Sequence, residues 1–268
     1  MHDSLSGPVK SIVSEILDEV GENILLVSPS RVLLEEMVSG SWNLETSPVT
    51  TVLAAEQVLA SLRDNFAVAW SAADLVREDN LRMIANDTGP GSSVLVSGDT
   101  VWTVSVLGRT GVSMSTTEQN LASEIQEFVE PHLENSSFPL RTPPRTQLTE
   151  ALTQEFSEQV STDFETGINI LREIDAEEVD AAHVAFLVMA LHGELLYDLG
   201  KWAEDTRFTS RATLSRKKTE LEEQKLLSTE KVPVNIGRPR QQLTPGDKLQ
   251  DHSIEPAVEQ ALQALKQQ

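Results

Sequence analysis

From Asn23 to about Gly111, short apolar runs alternate with amphipathic ones. NILLVS (23–28) reads as a buried strand, SRVLLEEMVSG as a helix ended by Gly40, PVTTVLA (48–54) as a strand and AEQVLASLRD as a helix. NFAVAWS (65–71) and LRMIAN (81–86) are further strands around a short helix at Ala72 to Arg77. Strands that alternate with helices predict an α/β domain, a mostly parallel sheet with helices on both faces. GSSVLVSGDTVWTVSVLG (91–108) then carries two β-branched runs separated by Ser97-Gly98-Asp99, so the sheet ends in a hairpin. Glu118 to Leu133 has the apolar spacing of a helix.

FPLRTPPRT (138–146) breaks this pattern, because adjacent prolines fit neither a helix interior nor a central strand. The expected organisation is an α/β regulatory or dimerisation domain over 1–140, a linker and connecting helix over 141–174, a second domain over 175–248 and a terminal helix over 249–268. Asp175 and Glu178 form a capping-box-like start to an apolar helix reaching about His192. After it come a helix from Leu195 to Asp205, a turn at Asp205 to Phe208, a third helix and two strands. Ile254, Val258, Leu262 and Leu265 give the tail helix an apolar face with two uses, packing on a partner subunit or on its own domain.

Charge changes the picture locally. The 268 residues carry 42 acids against 21 Lys or Arg, a formal charge of −21. Such a surface suits a salt-loving cytoplasm, and an ordinary acidic protein would share it. Between Gly200 and Lys248, eleven Lys or Arg stand against seven acids, a local excess of +4 that leaves the other 219 residues at −25. A sign reversal on this scale points to a polyanion.

The third helix, within TSRATLSRKKTELEEQKLL, concentrates cations and hydroxyls at its start and acids (Glu220, Glu222, Glu223) at its end, the reverse of what the helix dipole favours. Thr209 or Ser210 caps it, Leu214 and Leu221 face the core, and Arg211, Thr213, Ser215, Arg216 and Lys217 crowd its first half. Mixed charge on a solvated helix is the plainer reading. Beyond it, NIGRPRQQ is a hairpin tip in which Gly237 allows a tight turn and Pro239 stiffens the backbone, so that Arg238 and Arg240, with Gln241, are held outward to grip phosphates or a minor groove. An arginine-flanked turn without a ligand is the alternative.

Residues 176–245, with LGKWAEDTRFTSRATLSRKKTELEEQKLL followed by EKVPVNIGRPRQQLTP, resemble the winged helix-turn-helix of archaeal and bacterial transcriptional regulators. The whole chain resembles the haloarchaeal TbsP-type regulators. The resemblance implies a transcription factor with an N-terminal α/β regulatory domain and a C-terminal winged helix. Double-stranded DNA is the expected partner, and a homodimer is expected from the apolar spacing of the tail helix. Two positions depart from the pattern: Lys218 stands where an apolar residue is usual, which requires its stem to snorkel, and Lys225 stands where the turn often has glycine.

In the N-terminal half, Ser28, Ser30 and Arg31 open a helix at a strand end and could hold a small anionic metabolite; a plain helix cap explains the same residues. No catalytic site, cofactor or metal site is expected. Cysteine is absent, the five histidines have no ligand spacing, and no phosphate-cradling GxxxxGK[ST], GxGxxG or GxSxG occurs. The longest nearly continuous apolar run, Ala181 to Leu191, is too short for a bilayer, and a cytoplasmic, non-membrane protein is expected. The competing function is a winged helix that docks an acidic protein partner.

Overall fold

The computed structural model describes residues 3–266 except 88, 90, 135–136, 175–177, 234–238 and 250–252. The chain forms two compact units, Met1–Arg141 and Thr142–Gln268.

The first unit is an α/β domain on a seven-stranded sheet. Its elements run β1 (Asp3–Pro8), α1 (Val9–Glu19), β2 (Asn23–Val27), α2 (Arg31–Trp42), β3 (Val49–Ala54), α3 (Glu56–Ser61), α4 (Phe66–Arg77), β4 (Leu81–Ala85), β5 (Ser93–Ser97), β6 (Thr100–Leu107), β7 (Thr110–Thr117) and α5 (Gln119–Val129). The strand order is β1-β7-β6-β5-β2-β3-β4. Among the described residues, only β2, β3 and β4 pair in parallel, while β5, β6, β7 and β1 continue the sheet antiparallel. The sheet is therefore mixed, and its antiparallel part is larger than one hairpin. Two-residue turns cause this: Gly98 and Gly108 take φ of +58° and +60°, which folds the chain straight back twice. Alternate positions sort the faces. Leu26, Val52, Met83, Leu95 and Trp102 pack under α1, α2 and α4, whereas Val27, Leu53, Ile84, Val96 and Val101 face α5.

The stretch 65–71 is helical rather than extended. Asn65 caps α4 by accepting from the Val68 N–H, and every residue from Ala67 to Leu75 is buried. A helix covered on all sides has no polar stripe, so its period disappears from the sequence.

The second unit contains α6 (Arg145–Glu155), α7 (Glu158–Ile174), α8 (Ala181–Leu191), α9 (Leu196–Asp205), α10 (Arg211–Glu223), the hairpin β8 (Leu227–Val232) and β9 (Arg240–Pro245), and α11 (Ile254–Leu265). Helix α8 is buried from Ala181 to Ala190 and touches α7, α10, α11 and both strands, so it is the axis of the unit. The expected start at Asp175 falls partly outside the described residues; the helix observed begins at Ala181, capped by Asp180. Phe164, Trp202 and Phe208 meet with ring centroids 4.9–5.8 Å apart and join α7, α9 and the turn after α9. Of the two uses open to the tail helix, the structure has the internal one: Ile254, Ala257, Val258 and Ala261 are buried, and α11 packs on α7 and α8.

Candidate nucleic-acid interface

Helices α9 and α10 are joined by a turn whose geometry the backbone fixes. The Arg207 N–H donates to the Glu204 carbonyl and the Phe208 N–H to the Ala203 carbonyl, with Arg207 at φ +59°. This is a Schellman ending, and α8 and α10 end in the same way, with Gly193 (φ +67°) and Lys225 (φ +59°) at the left-handed position. Helix α10 begins at Ser210, whose hydroxyl accepts from the Thr213 N–H at 3.1 Å. The hairpin is tied to the α8–α9 turn: Leu195 bridges Gln242, the Leu243 N–H donates to Glu194, and the Gln242 amide donates to the Gly193 carbonyl at 2.7 Å. A helix-turn-helix followed by a hairpin is thus assembled around α8.

Leu214 and Leu221 turn inward from α10 and are 4% and 0% exposed. Opposite them, Ala212, Ser215, Arg216, Thr219 and Glu223 form an exposed stripe at spacings of three and four, with Arg211 beside its start. Thr209 and Thr213 are partly covered, and Gln241 is exposed on β9. Ala212 and Thr219 were not among the expected contacts, although counting 100° per residue from Ser215 and Arg216 finds both.

The arginines do not project freely. Arg211 pairs with Glu204 of α9 at 2.5 Å, Arg216 lies 3.7 Å from Glu220, and Arg240 lies 3.5 Å from Asp198 with its guanidinium 4.4 Å above the Tyr197 ring. The expectation that Arg240 is simply held outward is corrected by this stacked, paired arrangement. Arg238 and the hairpin tip lie outside the described residues.

Lys217 is also corrected. Its side chain is only 13% exposed, and its ammonium sits 3.0 Å from Asp180 and 3.1 Å from Glu220. It belongs to a network around His183, which is 1% exposed. The Asp180 N–H donates to His183 Nδ1, and Nε2 lies 3.0 Å from Glu220 Oε2. Asp180 Oδ1 in turn accepts from the Ala182 and His183 N–H groups. Burial opposes ionisation of Asp180, yet the bonds from His183 and Lys217 outweigh it and hold the carboxyl well below its usual range. Glu220 follows the same balance: burial raises it, and Lys217 and His183 together bring it below its ordinary value. The network locks α10 to the start of α8. Lys218, as its position requires, is 17% exposed and reaches Glu222 at 2.6 Å.

In the N-terminal unit, Ser30 caps α2, its own N–H donates to the Ser93 hydroxyl, and that hydroxyl donates to the Ser28 carbonyl. Arg31 pairs with Glu35 at 2.7 Å and Asp64 at 3.1 Å. The cation that an anionic metabolite needs is therefore already neutralised by two carboxylates. Among the described residues, no group of three or more His, Asp or Glu is placed to hold a metal ion, and no helix is long and apolar enough to cross a membrane.

Two family models cover the chain almost end to end. Residues 1–143 match "Transcriptional regulator TbsP-like, N-terminal" and residues 144–263 match "Transcriptional regulator TbsP-like, C-terminal HTH domain". The chain belongs to the TbsP-like transcriptional regulators. A search of the curated proteins returns no match. Among solved structures, this TbsP-like regulator is similar to TrmBL2, described as an archaeal chromatin protein with a novel mode of DNA binding, at 14% identity and a TM-score of 0.35. That alignment covers 50% of this chain and 52% of TrmBL2, so the regulator spans about half the length of that relative. It is also similar to Nuc from Salmonella typhimurium, a phospholipase D family member, at 13% identity and a TM-score of 0.37, covering 52% of this chain and 99% of that one.

Proposed function

We propose that this TbsP-like regulator binds double-stranded DNA sequence-specifically through α10, as a homodimer in a salt-loving archaeal cytoplasm. The observation that carries the reading is the exposed stripe on α10, where Ala212, Ser215, Arg216 and Thr219 offer small, hydroxylated and guanidinium groups on a helix whose opposite face is locked to α8. Such groups fit the major groove: arginine bonds guanine bidentately, hydroxyls bond base edges or phosphates, and a small methyl lies against thymine. Thr209, Ser210, Arg211 and Thr213 at the start of α10 and Gln241 of β9 are assigned to backbone contacts in this reading, and Arg238 and Arg240 to the phosphates or minor groove. Lys217 is left out of the interface because it is spent on Asp180 and Glu220.

High salt favours this division of labour. Counterion release yields little free energy in concentrated salt, so hydrogen bonds to bases must supply more of the affinity. Two modules would read two half-sites, and because α11 is used internally, the dimer contact falls to other surfaces such as the exposed Val112 and Met114 of β7.

The test is selection of duplexes from a random-sequence pool by the purified protein. Enrichment of one motif is expected, and Arg216→Ala should change the base preferred at one position, costing about 1–3 kcal/mol there. A protein that enriches no sequence, or an Arg216→Ala variant that selects the same motif with unchanged affinity, overturns the reading.

A further inference from the structure

Three arginines of the proposed interface each hold one of the protein's own carboxylates, and two of those carboxylates come from α9. Glu204 contacts Arg211 across the turn, and Asp198 contacts Arg240 across the hairpin. Arg216 shares Glu220 with its own helix. Only the third pair has another structural use, because Glu220 also serves His183 and Lys217. Glu204 is 44% exposed and Asp198 35% exposed, and among the described residues each makes its ion pair with an interface arginine alone.

These pairs are weak enough to open. The arginines are 66% and 41% exposed, and exposed ion pairs are screened by solvent. Opening one frees a guanidinium for a phosphate, yet it leaves a carboxylate near the polyanion. A phosphate at that spot therefore gains less than it would from an unpaired arginine. The penalty falls on backbone contacts, which any duplex offers equally. Base contacts by Ser215 and Thr219 are uncharged and escape it.

We propose that Glu204 and Asp198 are specificity-determining residues of the DNA interface: they hold Arg211 and Arg240 and suppress sequence-independent binding to the duplex backbone. The inference rests on the DNA-binding reading. It also gives a use to Glu204, an acid placed inside the net-basic stretch Gly200–Lys248, where seven acids accompany eleven Lys or Arg.

The experiment compares the wild-type full chain with the Glu204→Gln/Asp198→Asn variant by fluorescence anisotropy across a salt series. The probes are a random-sequence duplex pool and the duplex selected from it by the wild type. Asp247→Asn is the control: it removes a like charge from the same net-basic stretch but outside the α10 stripe, and among the described residues Asp247 is exposed and makes no ion pair. The double variant should bind the random pool about three- to tenfold more tightly, with a steeper decline in affinity as salt rises, by about one to two in the logarithmic slope. The ratio of selected to random affinity should fall, and the control should move both affinities little and leave their ratio unchanged. Circular dichroism confirms that each variant is folded. Equal random-pool affinity for wild type and double variant overturns the role of the two carboxylates while leaving DNA binding intact, as does an equal gain in the Asp247→Asn control. Absence of duplex binding by wild type and variant alike overturns both readings, whereas binding by the variant alone supports the carboxylates' role.

Discussion

His183 shows how much one buried side chain can organise. Its two nitrogens join the Asp180 backbone to Glu220, and Lys217 closes the circuit from the other side, so that two helices are held by four polar residues instead of by apolar contact alone. The circuit has a pH dependence whose sign follows from Asp180. A carboxyl held below its unfolded value of about 3.9 contributes stability at neutral pH, and that contribution is lost as pH falls from about 4 toward the folded value. Asp180→Asn keeps an oxygen to cap α8 but cannot ionise. It should be less stable than wild type in urea at pH 7, and the gap should narrow as the pH is lowered through 4 to 3. A gap that stays constant with pH would show that Asp180 acts only as a cap. Asp180 itself was hidden in the sequence, since a capping box is recognised by Glu or Gln three residues on and here the reciprocal group is histidine.

At the scale of the element, the end of α10 and the end of β9 are built against each other. The Gly246 N–H donates to the Leu226 carbonyl and the Lys248 N–H to the Lys225 carbonyl, while Lys225 itself takes the left-handed conformation that glycine adopts more easily. A side-chain carbon placed on Gly246 would lie 2.3 Å from the Lys225 carbonyl oxygen, and backbone cannot step aside as a side chain can. Gly246→Ala should therefore cost about 1–3 kcal/mol, read as a lowered midpoint of thermal or urea unfolding. Helix α10 was legible from the Ser210 cap and the Leu214–Leu221 spacing, and its exposed stripe could be counted from them. The ion pairs were not. Glu204 and Arg211 face each other only once the Arg207 turn is set, and Asp198 meets Arg240 from 42 residues away. Lys217 was misassigned for a different reason. Its charge drew attention, whereas its place three residues after Leu214 and four before Leu221 puts it on the inner flank. In the N-terminal unit, α4 was lost to the strand pattern because burial on every side erases periodicity.

For the whole molecule, charge acts in opposite directions on folding and on the proposed DNA binding. Outside Gly200–Lys248 the chain carries −25, and screening relieves that self-repulsion. The unfolding midpoint should rise as NaCl is raised from tens of millimolar toward molar, while affinity for any duplex falls over the same range. A midpoint that is flat or falling with salt would mean that the acids are already compensated by local partners. Helix α11 carries a practical consequence. Its apolar side is the outer cover of α7 and α8, so a version of the chain cut back to the last residues of the hairpin would lay bare the flank of the very helix on which the duplex-reading elements are mounted. Loss of DNA binding on trimming the C-terminus would then report a collapsing scaffold, even though no residue of α11 need ever meet a nucleotide.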